Sequence, residues 1–196
     1  MKSSAATFWN WFREFVTRLT DDEPSEDALD ELLERIHRVD DRIYFELPAN
    51  TPNKELILTA EGNVDAFPAV EALVESARHI DGWSVITLKP PRGFDFVYRN
   101  DEIVLNAAEL WFLPLETESD SVTFALQLGL PDAVLARQTV DTAYTILETG
   151  IGERSCAIDI ERVTIDDLPA DPAANGYIEL PRLAEYISWR RSKRAS

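Results

Sequence analysis

The chain has 196 residues, 45% of them hydrophobic, with 36 acidic against 19 basic side chains and a net charge of −17. Its length suits one domain with a real core, since single folds commonly run to ~150–200 residues. A field of that sign repels phosphate backbones and anionic lipid surfaces, which bind through Lys and Arg, so neither nucleic acid nor membrane is an expected partner.

The apolar stretches are short and broken by charges, far under the ~20 residues of a membrane span. The opening residues lack the apolar centre and small-residue cleavage site of a signal peptide. A single cysteine, Cys156, cannot form an internal disulfide and suits a reducing compartment, so cytoplasmic residence is expected.

In chain order, Phe8, Trp11, Phe12, Phe15, Val16 and Leu19 recur at helical spacing and predict an N-terminal helix that closes the core. Trp9 lies off that stripe and is expected at the surface. Its polar face offers only Arg13, Arg18 and Glu14, too few cations for a membrane-surface helix. Residues 21–34 carry eight acids and no base. Ser25 is a natural N-cap there, with Leu29, Leu32, Leu33 and Ile36 facing inward and the acids forming a solvated face. The run DDE lacks the spaced oxygens and turn glycine of a calcium loop. These helices make an N-terminal segment over residues 5–38.

Residues 42–47, RIYFEL, alternate as a strand, and PANTPNK connects them to the next. From there a unit is expected twice, over residues 55–88 and 121–163. Each copy has an apolar strand, a turn with Gly62 or Gly129, an Asp three residues on (Asp65, Asp132), a helix and a returning strand. Asp65 is positioned to cap the first of these helices, with Phe67, Val70, Leu73, Val74 and Ala77 inside and Asp81-Gly82 at its end. Between the copies, strands flank RNDE and another runs through LWFLPL, where Pro114 calls for an edge or bulge. TIDDLPADPAANGY reads as a loop long enough to be a linker. A terminal helix over 181–193 packs through Leu183, Tyr186 and Ile187 and ends in a solvated basic tail.

No catalytic signature lies across these elements. His37 and His79 fall in no metal-binding spacing and read as surface residues, and no metal or other cofactor is expected. Cys156 sits in an alternating pattern with Ile158 and Ile160, the place of a buried, inert thiol in a strand. No GxSxG, GxGxxG or Walker-type loop is present; GIGER, residues 150–154, follows a helix, where Gly acts as a C-terminal cap. One weaker group remains. The loops and strands of the first copy and its sequel carry Glu61, Asn63, Trp83, Arg92 and Phe94, with Phe96 and Tyr98 behind them. If the strands pair side by side these could rim a binding groove, although aromatics in strands are more often core.

The pattern FWxWF at the start, ELxLTAEG in a strand, AFPAVEALV, a Gly-Trp before the next strand and a late GxGE resembles a widespread group of uncharacterised bacterial proteins of about this size. The likeness spans most of the chain, its motifs are structural, and it implies no activity and no site residues. A looser likeness, in duplicated β-α-β organisation and acidity, is to small bacterial regulators that inhibit ribonucleases by binding them.

The expectation is therefore one α+β domain over residues 1–196. Its mostly antiparallel sheet is built from two related β-α-β halves, with helices packed on one face. A non-catalytic interaction module (regulatory, inhibitory or immunity-like), with an acidic surface for a basic protein partner, is the leading function. The alternative is an enzyme whose carboxylates and aromatics meet in a pocket only in three dimensions. A self-assembling structural role would show itself as a concentration-dependent oligomer.

Overall fold

A computed structural model describes residues 2–19, 24–49, 54–101, 103–115, 123–131 and 140–194. The chain divides into two compact units, Met1–Lys89 and Pro90–Ser196. The fold is α+β, and among the described residues four of the six strand pairings are antiparallel.

The first unit runs α1 (Lys2–Phe15), α2 (Glu26–His37), β1 (Tyr44–Glu46), β2 (Lys54–Thr59), α3 (Phe67–Glu75) and β3 (Trp83–Thr87). Strand β2 is central, antiparallel to β1 with Phe45 opposite Leu58, and parallel to β3 with Ile57 opposite Ile86. Leu56, Ile57, Leu58 and Thr59 are consecutive and fully buried. Successive side chains alternate faces, so both faces of β2 are covered.

Helix α1 forms as its periodicity predicts, but its buried stripe is rotated. Ala5, Phe8, Trp9, Phe12, Phe15 and Leu19 are buried, while Trp11 and Val16 are half-buried. Trp9, expected outside, is only 3% exposed. The stripe counts from Ala5, and i+3, i+4 and i+7 from there are Phe8, Trp9 and Phe12. The Trp9 indole N–H donates to the Leu73 carbonyl at 2.9 Å and to Ser76 Oγ at 3.1 Å. Leu73 lies in the last turn of α3, where carbonyls have no helical partner, so one contact satisfies both groups.

In α2, the Ser25 side chain accepts from the Ala28 N–H as expected, and Leu32 and Ile36 are buried. The turn after β2 differs in detail. Asn63, not Asp65, supplies the cap: its Oδ1 accepts from the Asp65 N–H at 3.2 Å and opens a 3-10 turn that leads into α3. Asp65 is exposed within that turn, and the N-cap of α3, Ala66, has no side-chain bond. Helix α3 stops at Glu75, so Asp81-Gly82 forms the tight turn into β3 with Gly82 at φ +76 and does not end the helix.

The second unit begins with a hairpin of β4 (Val97–Arg99) and β5 (Val104–Asn106). A four-stranded sheet follows, in the order β8 (Ile160–Asp167), β7 (Phe124–Leu130), β6 (Trp111–Leu115), β9 (Ile178–Glu179). Helices α4 (Val140–Ile151) and α5 (Glu153–Asp159) lie between β7 and its parallel neighbour β8, and α6 (Leu183–Arg194) ends the unit. The core gathers Phe112, Phe124, Leu126, Ile146, Leu180 and Leu183. Pro114 is accommodated because β9 pairs with β6 only at Trp111 and Phe112, leaving Pro114 bonded on the β7 side alone.

Several expectations for this unit are corrected. Gly129 is not in a turn but inside β7, where a Cβ would meet Leu168 Cδ1 at 2.6 Å and Tyr177 Cε1 at 2.9 Å. Cys156 is buried in helix α5, not in a strand; the chain becomes extended only at Ile160. GIGER is a helix–helix joint: Gly150 lies inside α4, and Gly152, at φ +82, ends that helix and starts α5. The TIDDLPADPAANGY stretch is not a linker. Its first residues extend β8, Leu168 donates its N–H to the Leu130 carbonyl at 2.9 Å, and Tyr177 is buried. Asp132 and the start of the predicted helix lie outside the described residues.

The terminal helix packs as expected, with Leu183 and Ile187 buried and the Tyr186 ring against Phe112 and Phe124. Its basic end is less free than expected. Arg191 grips the buried carboxylate of Asp159, which also accepts from Ser155 Oγ at 2.7 Å. Arg190 lies over the Phe124 ring at 4.9 Å.

A testable consequence concerns Gly150, where a Cβ would collide with the Phe94 ring. Gly150→Ala should destabilise the protein by about 1–3 kcal/mol, the usual cost of overpacking. Phe94→Leu in the same chain should recover part of that loss. Thermal denaturation of the three variants checks both statements.

Candidate functional site

The five residues singled out from the sequence serve separate structural tasks. Glu61 follows the C-terminal end of β2 and, with Leu88 beyond β3, adopts a left-handed backbone (φ +49 and +58). Such values are uncommon without glycine. The Glu61 N–H donates to Thr59 Oγ1 at 3.0 Å, and the Leu88 N–H to the Leu58 carbonyl at 2.8 Å, which hold both turns. The Glu61 carboxylate is occupied by Lys89 Nζ at 3.1 Å, and the same ammonium lies 3.4 Å from Glu46. With 16% of its side chain exposed, Lys89 ties the ends of β1 and β3 across β2. Asn63 is spent on its cap.

Trp83 sits at the other end of the sheet. It opens β3 opposite Lys54, with its ring 5.5 Å from Phe12 and the Lys54 ammonium 5.9 Å away. Five strand residues separate that level from Leu88, on the order of 16 Å at the usual rise. Arg92 and Phe94 belong to the second unit. The Arg92 and Gly93 N–H groups donate to the carbonyls of Thr149 and Gly150, so this loop is pinned to α4. Arg92 is exposed, whereas Phe94 is buried in the core against Gly150.

A group of carboxylates gathers along α2. Asp27, Asp30, Glu31 and Glu34 recur at i, i+3, i+4 and i+7, and with Leu33 and His37 they line a wide, shallow depression of about 580 Å³. Glu31 is engaged by Arg18 at 3.1 Å and by the Trp11 indole N–H at 3.2 Å. Glu34 pairs with Arg38 one turn on, and that guanidinium holds its carboxyl below the usual range, mainly through the hydrogen bond. Glu26, Asp27 and Asp30 are exposed on the first turns, where carboxylates complement the helix dipole. His37, expected as a surface residue, turns its ring edge onto Tyr44 at 5.3 Å, and its Nε2 is buried. His79 is exposed, 2.9 Å from Asp81.

Beyond α2, Asp40 closes a clamp the sequence did not suggest. Its Oδ1 accepts from the Arg42 backbone N–H at 3.0 Å and from Nε at 2.9 Å, and its Oδ2 accepts from Nη2 at 2.7 Å. These bonds hold the Asp40 carboxyl below its ordinary range, against the opposing effect of burial. Among the described residues, no group of three or more His, Cys, Asp or Glu side chains could hold a metal ion. No helix there is long and apolar enough to cross a membrane. The chain matches no protein-family model, no curated protein and no solved structure.

The Asp40 clamp carries a pH dependence. Its folded pKa is depressed, so its stabilisation is fully present above the unfolded value of about 3.9 and is lost as pH falls through the lower folded value. Arg42→Ala should raise the Asp40 titration midpoint toward that ordinary value in carboxyl NMR. The stability gap between wild type and variant should be open at neutral pH and close in acid.

Proposed function

We propose that this chain is a non-catalytic protein-interaction module of the cytoplasm, with a regulatory, inhibitory or immunity-like role, that docks a basic partner protein on the outer face of α2. The observation that supports this reading is the run of exposed carboxylates at Glu26, Asp27 and Asp30 on one rigid, capped helix. Glu31 and Glu34 beside them are held in place by Arg18 and Arg38, so part of the anionic surface is already ordered before any partner arrives. Half-buried Leu33 in the same depression offers an apolar contact amid the charges. Such a face steers a cationic surface into register and speeds its encounter.

The bacterial group resembled by the FWxWF, ELxLTAEG and AFPAVEALV motifs belongs to the same proposal, as does common ancestry of the stretches 55–88 and 121–163. Both stretches carry strand, helical segment and parallel strand. The enzyme alternative would want carboxyls pushed up in pKa for general-acid work. Glu34 and Asp40 are instead held down by their arginine partners, the behaviour of structural ion pairs.

Tagged protein purified from its own host should capture a stoichiometric basic partner in low salt and release it in high salt, because exposed charge pairs are screened. The double variant D27K/D30K should lose that partner with an unchanged melting temperature. Recovery of no salt-sensitive partner, or capture indifferent to charge reversal, would overturn the reading.

A further inference from the structure

The first unit contains a second concavity, unrelated to the α2 face and independent of the partner proposed for it. A cleft of about 480 Å³ opens between the start of α1, the residues after α2, and α3. Its walls are Ala5 from α1, Val39, and Ala69, Ala72 and Leu73 from α3. Alanines stand where larger side chains would fill the gap, and Ala72, Glu75 and Ser76 are exposed at its mouth, so the cleft opens to solvent. The size falls within the ~300–1,000 Å³ range of small-molecule sites.

Three polar groups reach this cleft, and two are already used. Both oxygens of Asp40 are held by Arg42. Ser76 Oγ donates to the Leu73 carbonyl at 2.7 Å and accepts from the Trp9 indole. Glu75 is the third: it is exposed, and its carboxylate has no pairing partner among the described residues. The cleft is thus apolar on its walls with two carboxylates at its margin, one of them open, on a chain of net charge −17. An anion is repelled there, and a neutral apolar molecule gains nothing from Glu75, with which an ammonium ion would form an ion pair.

We propose that this cleft binds a small hydrophobic amine as its ammonium ion, with the apolar body against Ala69, Ala72 and Leu73 and the cationic nitrogen at Glu75. The nitrogen carries the recognition and the alanines set the size of the body.

Three probes of one shape test this: phenethylammonium, phenethyl alcohol and 3-phenylpropanoate. The Trp9 indole N–H is the reporter, because it bonds Leu73 and Ser76 at the cleft wall; Trp9→Phe assigns its resonance. Titration should give a saturable shift with phenethylammonium, binding about threefold to fivefold weaker with the alcohol, and no saturation with the carboxylate. That ratio is what a partly exposed ion pair supplies. Glu75→Gln should bring the ammonium to the level of the alcohol while leaving the alcohol unchanged. Ala72→Phe, at an exposed helix position, should abolish binding of both by filling the space. Equal binding of ammonium and alcohol, a preference that survives Glu75→Gln, or no saturation with any probe would overturn the proposal.

Discussion

The structure depends most on one constraint: each main sheet has a strand buried on both faces, hydrogen-bonded to an antiparallel neighbour on one side and a parallel one on the other. In the first unit this strand is β2, with four consecutive residues from Leu56 to Thr59 fully buried. In the second it is β7, buried at every position but Gln127. A parallel neighbour cannot be reached by a tight turn, so a helical crossover must follow each of these strands. That requirement sets α3 between β2 and β3, and α4 with α5 between β7 and β8. It also explains why glycine is needed inside β7: Leu168 and Tyr177 lie so close to Gly129 that any side chain would displace them.

Charge plays a different part in the interior from its part on the surface. Asp159 is 3% exposed and sits at the end of α5, where β8 begins; Arg191 and Ser155 meet its oxygens. Arg191 is itself half exposed, so the buried member is Asp159, and loss of Arg191 would leave that carboxylate buried without its ion partner. The pair therefore locks α6 onto the α5–β8 joint, and the terminal helix is integral to its unit. Arg190 next to it has a buried Nε without a hydrogen-bond partner, and its guanidinium rests on the Phe124 face. A cation over an aromatic ring recovers part of the lost hydration.

What could be read from the sequence divides along the same lines. Periodicity located α1, α2, α3 and α6 and the strands through ELILTA, WSVIT and LWFLP, helped in α2 and before WSVIT by a cap or turn residue, Ser25 and Gly82. Phase was harder. Counting the α1 stripe from Phe8 without Ala5 left Trp9 outside, since a small residue gives little hydrophobic signal though it sets the face. Cys156 alternated with Ile158 and Ile160 over too few residues to separate a helix from a strand, and the preceding Gly152 was read only as an end. The group Glu61, Asn63, Trp83, Arg92 and Phe94 was proximity along the chain. Parallel pairing put Trp83 at the far end of the sheet from Glu61, while Arg92 and Phe94 belong to the second unit, pinned to and packed on α4. The cleft beside Glu75 had a faint trace, small residues at Ala69, Ala72 and Ser76 on one side of α3, which looks the same as ordinary close helix packing.

The excess of acid over base acquires meaning once the bases are followed to their partners. Arg18, Arg38, Arg42, Lys89 and Arg191 each hold a carboxylate already placed by local structure: Glu31 and Glu34 on α2, Asp40 in the turn, Glu46 and Glu61 at the strand ends, Asp159 at the α5–β8 joint. Cations used in this way stiffen the frame and cancel charge where it would strain the fold. Among the described acids of the first unit that remain exposed and unpaired are Glu26, Asp27 and Asp30 on α2 and Glu75 on α3. Rigid helices carry these carboxylates, so a cation approaching them meets groups that need little reordering. An acidic composition by itself gives only solubility. Here it divides into paired acids that fix the backbone and open acids displayed by that backbone, and the proposed docking face rests on that division.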